Sequence, residues 1–311
     1  MSHNRFSRNY WFQLTKFTAT VTAIAALGLL LFFGFRQFQV FVSPRRVPLQ
    51  ASPAQFGLSY EPVSFVTRDE LEIKGWYIPG SRPVAVILVH GINANREAML
   101  PTAVLLAEVG YPLLLLDLRG HGESDGGRVT YGYYEALDVQ AAVEFLANKP
   151  QIRGVAALGT SMGGAPIVRA AVLEPRLQAI IVQSSYSNLP DAIDDAFDEW
   201  SIFPRWPFAQ LFVRLGEYYL GLRAEQVDLR EDLRRIEPRP LLIIHGRHDQ
   251  LFPVRHAEEM YEAASEPKTL WIIEDIGHQD PAKAHPQAYQ GHLLSFLTQA
   301  FQSVDSPSPT E

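Results

Sequence analysis

Gly159-Thr160-Ser161-Met162-Gly163-Gly164 is the stretch on which the reading of this 311-residue chain turns. It has the form G-x-S-x-G, in which a serine sits on a sharp turn between a strand and a helix. The flanks supply that context. Val155-Ala156-Ala157-Leu158 is an apolar run short enough for a buried strand. Ala165 to Leu173 is helix-compatible, and Pro166 falls in the first turn, where its missing N–H has no intrahelical partner. Such a turn lifts the serine Oγ above the sheet edge. Glycines two positions either side leave room for strand and helix to approach. The helix N-terminus offers N–H groups and the positive end of its dipole where an oxyanion forms. A plain Gly/Ser turn before a helix has the same form, so the rest of the chain decides.

Outward from the turn, strands and helices alternate. Val63 to Thr67 and Leu71 to Ile78 flank Arg68-Asp69-Glu70 as a hairpin. Val84 to Val89 and Tyr111 to Leu116 are continuous apolar runs, as strands covered on both faces are. Ala179 to Gln183, Leu241 to His245 and Thr269 to Ile273 read as further strands. Helices are expected over Glu97 to Val109, Tyr133 to Ala147, His256 to Ala264 and Pro286 to Phe301. The order predicts an α/β fold: a mostly parallel sheet with helices on both faces and a hairpin at one edge. One insertion breaks the alternation. Residues 188–235 are long, helix-rich and aromatic, with Phe197, Trp200, Phe203, Trp206, Phe208, Phe212, Tyr218 and Tyr219. They predict a helical lid, whose aromatics either pack its own core or line an apolar substrate pocket.

A serine nucleophile needs an oriented base and donors for the oxyanion. Asp249, four residues past the strand Leu241 to His245, stands at the edge where open parallel sheets build sites. It is the candidate acid; the plainer role is a cap on the helix beginning near Val254. His278, after the last strand and beside Gly277, is the candidate base. His248, His256, His285 and His292 are its rivals, and His90 and His121 read as structural. The oxyanion donors are expected to be the N–H groups of Met162 and of Ile92, which follows His90-Gly91. No H-E-x-x-H, P-loop or dinucleotide glycine pattern occurs, so neither metal nor cofactor is expected.

Phe17 to Phe35 carries no charge and at about 28 Å of helix approaches the ~30 Å hydrocarbon core. No small-x-small cleavage site follows, so a retained transmembrane anchor is expected rather than a signal peptide. Arg5, Arg8 and Lys16 before it balance Arg36, Arg45 and Arg46 after it, which leaves the orientation open. The expected organisation is a basic flank (1–16), the anchor (17–35), a linker (36–59), the catalytic domain (60–302) and a disordered tail (303–311). The linker, with Pro44, Pro48, Pro53 and the Arg45-Arg46 pair, reads as a tether or as a segment lying along lipid headgroups. Apolar residues make up 47% and charged residues 20%, as in an ordinary globular protein; a net charge of −7 argues against nucleic acid. The absence of cysteine excludes disulfides and a thiol nucleophile.

Five ordered motifs carry a family resemblance: His90-Gly91, Asp117 to Ser124 as D-x-R-G-H-G-x-S, Gly159 to Gly164, His245 to Asp249 as H-G-x-x-D, and Gly277-His278. Together they resemble the α/β-hydrolase superfamily, in its serine-aminopeptidase-like and membrane-anchored branch, over about Tyr60 to Phe301. The resemblance implies Ser161, Asp249 and His278 as the triad, the residues the strand-end argument reached. The expectation is a single-pass serine hydrolase of the bacterial cell membrane. It would act on esters or thioesters of an apolar acyl group, such as that of a lipid, with no obligate protein partner. A serine peptidase is the alternative, with Asp191, Asp194, Asp195, Asp198 and Glu199 of the lid as a site for an amine. A non-catalytic scaffold is the other.

Overall fold

The computed structural model describes residues 4–43, 45–278 and 280–305. The chain forms two units, Met1–Phe41 and Val42–Glu311.

The first unit is almost wholly one helix, α1 (Asn4–Val42, 39 residues). Its stretch Tyr10–Gln39 is long and apolar enough to cross a membrane, which makes it a candidate anchor. Phe17, Ile24, Leu31 and Phe32 are all exposed along it. The helix exceeds the expected span 17–35 at both ends because no proline interrupts it before Pro44. Residues 36–42, expected as linker, are therefore its last turns.

The second unit is a sheet of eight strands: β1 (Glu61–Val66), β2 (Glu72–Ile78), β3 (Val84–Val89), β4 (Leu113–Leu116), β5 (Gly154–Thr160), β6 (Leu177–Gln183), β7 (Leu241–Gly246) and β8 (Lys268–Ile273). Their order is β1-β2-β4-β3-β5-β6-β7-β8. The hairpin β1/β2 forms one edge, β2 meets β4 antiparallel, and every later pairing is parallel. Alternation along β3 shows why it reads as apolar throughout. Ala85, Ile87 and Val89 face one core, and Val84, Val86 and Leu88 the other. The first core is closed by α3 (Glu135–Ala147), α4 (Gly164–Leu173) and α8 (Arg255–Ala263). The second is closed by α2 (Leu100–Ala107) and α10 (Pro286–Ala300). The helix expected from Glu97 opens instead as a 3-10 turn, Arg96–Met99, since Pro101 near the start of α2 lacks an N–H to extend it backwards.

The connection from β6 to β7 carries the expected insertion as α5 (Leu189–Trp200), α6 (Arg205–Leu220) and α7 (Leu229–Arg235). A β-bridge, Asn188 to Asp228, closes the part of it that holds α5 and α6, and α7 follows the bridge. Leu189 N–H donates to Val227 O (2.9 Å) and Leu229 N–H to Ser187 O (2.8 Å). Both readings of its aromatics hold in part. Phe197, Phe203, Phe208 and Phe212 pack against one another. Trp200 turns toward Ser161, while Trp206 and Tyr218 stay exposed. The short α9 (Pro281–Ala284) and α11 (Gln302–Asp305) complete the chain. The expected tail 303–311 thus begins in a helix, and its residues 306–311 lie outside the described residues.

The remainder of the expected linker is no free tether. It contains a 3-10 turn, Pro53–Phe56, and from Arg45 to Gln50 it is bonded to loops that follow β3 and β4. Arg46 donates to backbone carbonyls rather than waiting for lipid headgroups.

Candidate active site

Ser161 stands between β5 and α4 at φ +55°, a left-handed conformation unusual for a residue with a Cβ. The turn is that tight because its neighbours lack side chains. A Cβ on Gly159 would land on the Gly163 carbonyl, and one on Gly163 on the carbonyls of Val89 and His90. The strained backbone holds the serine at the strand tip, where its side chain meets two loops.

The first brings His278. Its Nε2 lies 3.1 Å from Ser161 Oγ. Its Nδ1 lies 2.7 Å from Asp249 Oδ2. Asp249 is buried, and its other oxygen accepts the N–H groups of Leu251 (3.0 Å) and Phe252 (2.9 Å). A carboxylate oxygen can only accept, so His278 carries its proton on Nδ1 and turns the Nε2 lone pair to the serine hydroxyl. The Phe252 ring meets the imidazole edge to face at 5.4 Å and limits its rotation. Asp249 therefore orients a histidine as well as bracing its own loop, and α8 begins after it, at Arg255.

The second loop follows β3. A Cβ on Gly91 would sit 3.1 Å from Ser161 Cβ and 3.5 Å from Oγ, so this backbone crosses directly over the serine. Ile92 and Met162 line the same small space beside Ser161. His90 braces the loop from beneath. Its Nε2 accepts Leu118 N–H (3.1 Å), which leaves Nδ1 to donate to Gly91 O (2.6 Å). Burial pushes its pKa down to about 3, so it stays neutral. His121 packs edge-on against it at 5.0 Å, also held down by burial.

The rival histidines are engaged elsewhere, save one. His292 stacks on Trp271 at 3.8 Å, and His285 meets Asp275 at 2.9 Å. His248 lines the open groove beside His278. His256 belongs to an arrangement that sequence reasoning missed. Its Nδ1 is 2.8 Å from Ser187 Oγ and its Nε2 is 2.9 Å from Asp195 Oδ2, a second Ser-His-Asp constellation. Ser187 and His256 are completely buried, so no substrate reaches them. Ser187 N–H donates to His256 Nδ1, and Ser187 Oγ donates to Glu259. The hydroxyl is committed, and the cluster fastens α5 to the body of the domain. These three positions share no motif, so no local signal marks them.

Above Ser161 the walls are apolar: Tyr131, Tyr186, Leu189, Ile193, Trp200 and Phe252, besides Ile92 and Met162. The enclosed space is about 10 Å3, room for about one water. On the other side of Trp200 an open groove of about 470 Å3 runs past His278, with Glu199, His248 and Gln250 on its walls. Of the lid's acidic run, Asp194 and Asp198 pair with Arg205, Asp195 with Arg255, and Asp191 accepts from Asn188. Glu199 is the member that faces the groove.

The family model described as serine aminopeptidase, S33, matches residues 81–217, a span that contains Ser161 and stops short of Asp249 and His278. YqkD of Bacillus subtilis (strain 168) is 29% identical over 241 residues, 75% of this chain and 78% of that one. Rv2307c of Mycobacterium tuberculosis is 27% identical over 287 residues, 90% and 93% of the two chains. Among solved structures, the esterase PF2001 of Pyrococcus furiosus superposes with a TM-score of 0.72 at 27% identity, covering 84% of this chain and 98% of that one. Fold, strand-tip serine and these likenesses agree: the chain is a hydrolase with the α/β-hydrolase fold.

Proposed function

We propose that this hydrolase is a membrane-anchored serine enzyme that cleaves carboxylic esters or thioesters of an apolar acyl group. The observation that carries the reading is the unbroken line Ser161 Oγ, His278 Nε2 and Nδ1, Asp249 Oδ2, at 3.1 and 2.7 Å. As Ser161 Oγ attacks the carbonyl carbon, His278 Nε2 takes its proton and Asp249 balances the imidazolium. The Ile92 and Met162 N–H groups receive the oxyanion. His278 then protonates the leaving oxygen or sulfur, and a water deprotonated by the same nitrogen releases the acid.

The apolar walls favour an acyl chain over a charged group, and a series of p-nitrophenyl esters tests this against amino-acyl p-nitroanilides. The space above Ser161 must widen at the lid residues Ile193 and Trp200 to admit a chain, and each CH2 that then finds room contributes about 0.8 kcal/mol, roughly fourfold in kcat/KM. The rate should climb from acetate toward butyrate and stay well above that of any amino-acyl substrate. A preference for amino-acyl p-nitroanilides carrying a free amine would move the enzyme to the peptidases. Glu199, beside His278 in the open groove, is the observation that favours that second reading.

Anchoring rests on the 30-residue apolar stretch Tyr10–Gln39. The full-length protein, expressed in bacteria, should sediment with membranes, resist alkaline carbonate and enter solution with detergent. Release by carbonate would sink the anchor.

A further inference from the structure

Arg45 to Gln50 is anchored at four of its six residues. Arg45 N–H donates to Asn93 Oδ1 at 2.8 Å. The Arg46 guanidinium donates to the carbonyls of Gly122 (2.9 Å), Ser124 (2.7 Å) and Gly126 (2.7 Å). Val47 O accepts from Asn95 Nδ2 at 3.0 Å, and Gln50 N–H donates to Glu97 Oε2 at 2.7 Å. Every partner lies in the loop and turn after β3 or in the loop after β4.

Both loops bear on Ser161. The loop after β3 crosses over the serine at Gly91, carries Ile92 into the space beside it and continues into Asn93. The loop after β4 carries His121, whose ring supports His90 beneath Gly91. Asn93 lies at φ +55°, a conformation glycine adopts freely and asparagine tolerates. The turn alone therefore does not need this side chain. Its amide oxygen is what the strap grips.

A donor to a developing oxyanion works only when held to about half an ångström, and a 1 Å misplacement costs on the order of 10²-fold in rate. We infer that the strap Arg45–Gln50 holds the loop after β3 so that the Ile92 N–H meets the oxyanion, with Asn93 and Arg46 as positioning residues. The inference rests on Ser161 being the nucleophile.

The test uses full-length, detergent-solubilised N93G, N93D, R46A and R46K. A fluorophosphonate first counts competent sites, so that kcat is expressed per labelled Ser161. The affinity of an aryl trifluoromethyl ketone is then measured. The ketone forms a bond from its carbonyl carbon to Ser161 Oγ, sends the carbonyl electron pair onto oxygen, and passes the serine proton to His278. Asn93→Gly should leave melting temperature and KM nearly unchanged. It should lower kcat per site about tenfold and weaken the ketone by the same factor, part of the 10²-fold range for a displaced donor. Asn93→Asp, which keeps an acceptor for Arg45 N–H, should recover most of that loss. Arg46→Ala should behave like Asn93→Gly, with partial rescue in Arg46→Lys. Wild-type kcat per site and ketone affinity in N93G and R46A would overturn the inference. So would a loss confined to the number of labelled sites, the remainder turning over at full rate. Should N93G fail to fold, the Arg46 pair decides by the same two readouts. A wild-type protein that takes no label at Ser161 removes the serine reading itself, and this inference falls with it.

Discussion

Ser161→Ala should abolish ester hydrolysis while leaving the fold and the melting temperature close to wild type. Losses of roughly 10⁶ in kcat are on record for removing a nucleophile of this type, so the residual rate should be near background. Among the described residues the hydroxyl hydrogen-bonds to His278 Nε2 alone. Alanine keeps the Cβ and so inherits the left-handed turn rather than relaxing it. Hydrolysis of p-nitrophenyl butyrate and fluorophosphonate labelling should vanish together, with circular dichroism unchanged. A variant that still turns over at the wild-type rate would place the nucleophile elsewhere. Ser187 is no substitute, because its proton is directed to Glu259 and it is completely buried.

Asp249→Asn is the second large effect, and its direction follows from the hydrogen bonds. One carboxylate oxygen holds the N–H groups of Leu251 and Phe252; the other receives His278 Nδ1. An asparagine has one oxygen for these two duties. The paired backbone donors claim it, so the NH2 turns to His278. An NH2 can only donate, and His278 must then accept on Nδ1 and carry its proton on Nε2, facing Ser161. The base is occupied before the reaction starts. A fall of about 10⁴ in kcat is expected, with little change in KM and intact folding, as for a triad locked in the wrong tautomer. Activity within tenfold of wild type would mean that another group orients His278. His245, whose Nε2 stands 3.4 Å from Asp249 Oδ2, could not take that part, since it already bonds Phe252 O at 2.8 Å.

Most of the sheet was legible because its strands are buried on both faces. Val84 to Val89 shows no alternation to misread, and its ends fall where the apolar run ends. The turn at Ser161 was legible because few backbones accept a serine at positive φ, and the flanking glycines announce one. Asp249 and His278 follow strand ends, so parallel topology brought them to one rim without knowledge of any side-chain contact. What stayed hidden lacks periodicity or depends on distant partners. Arg45 and Arg46 look like a basic pair awaiting phosphate until the carbonyls of 122–126 appear around the guanidinium. His256 and Asp195 lie 61 positions apart and signal nothing until α5 folds back onto α8. The aromatics of the lid carry no mark that would sort Phe197, which packs inward, from Trp206, which does not.

The bridge between Asn188 and Asp228 closes the segment holding α5 and α6 at a backbone stem. Strands β6 and β7 are direct neighbours in the sheet, and the chain leaves one and returns toward the other through that stem. Whatever is threaded between its two sides, long or short, leaves the pairing of Ile180 to Gln183 with Leu241 to Ile244 untouched. The lid is in this sense a cassette. Selection can redraw the walls above Ser161 by exchanging this insertion, provided that Arg255 and buried His256 find a partner in place of Asp195, while the hydroxyl, the imidazole and the carboxylate keep their places on the sheet.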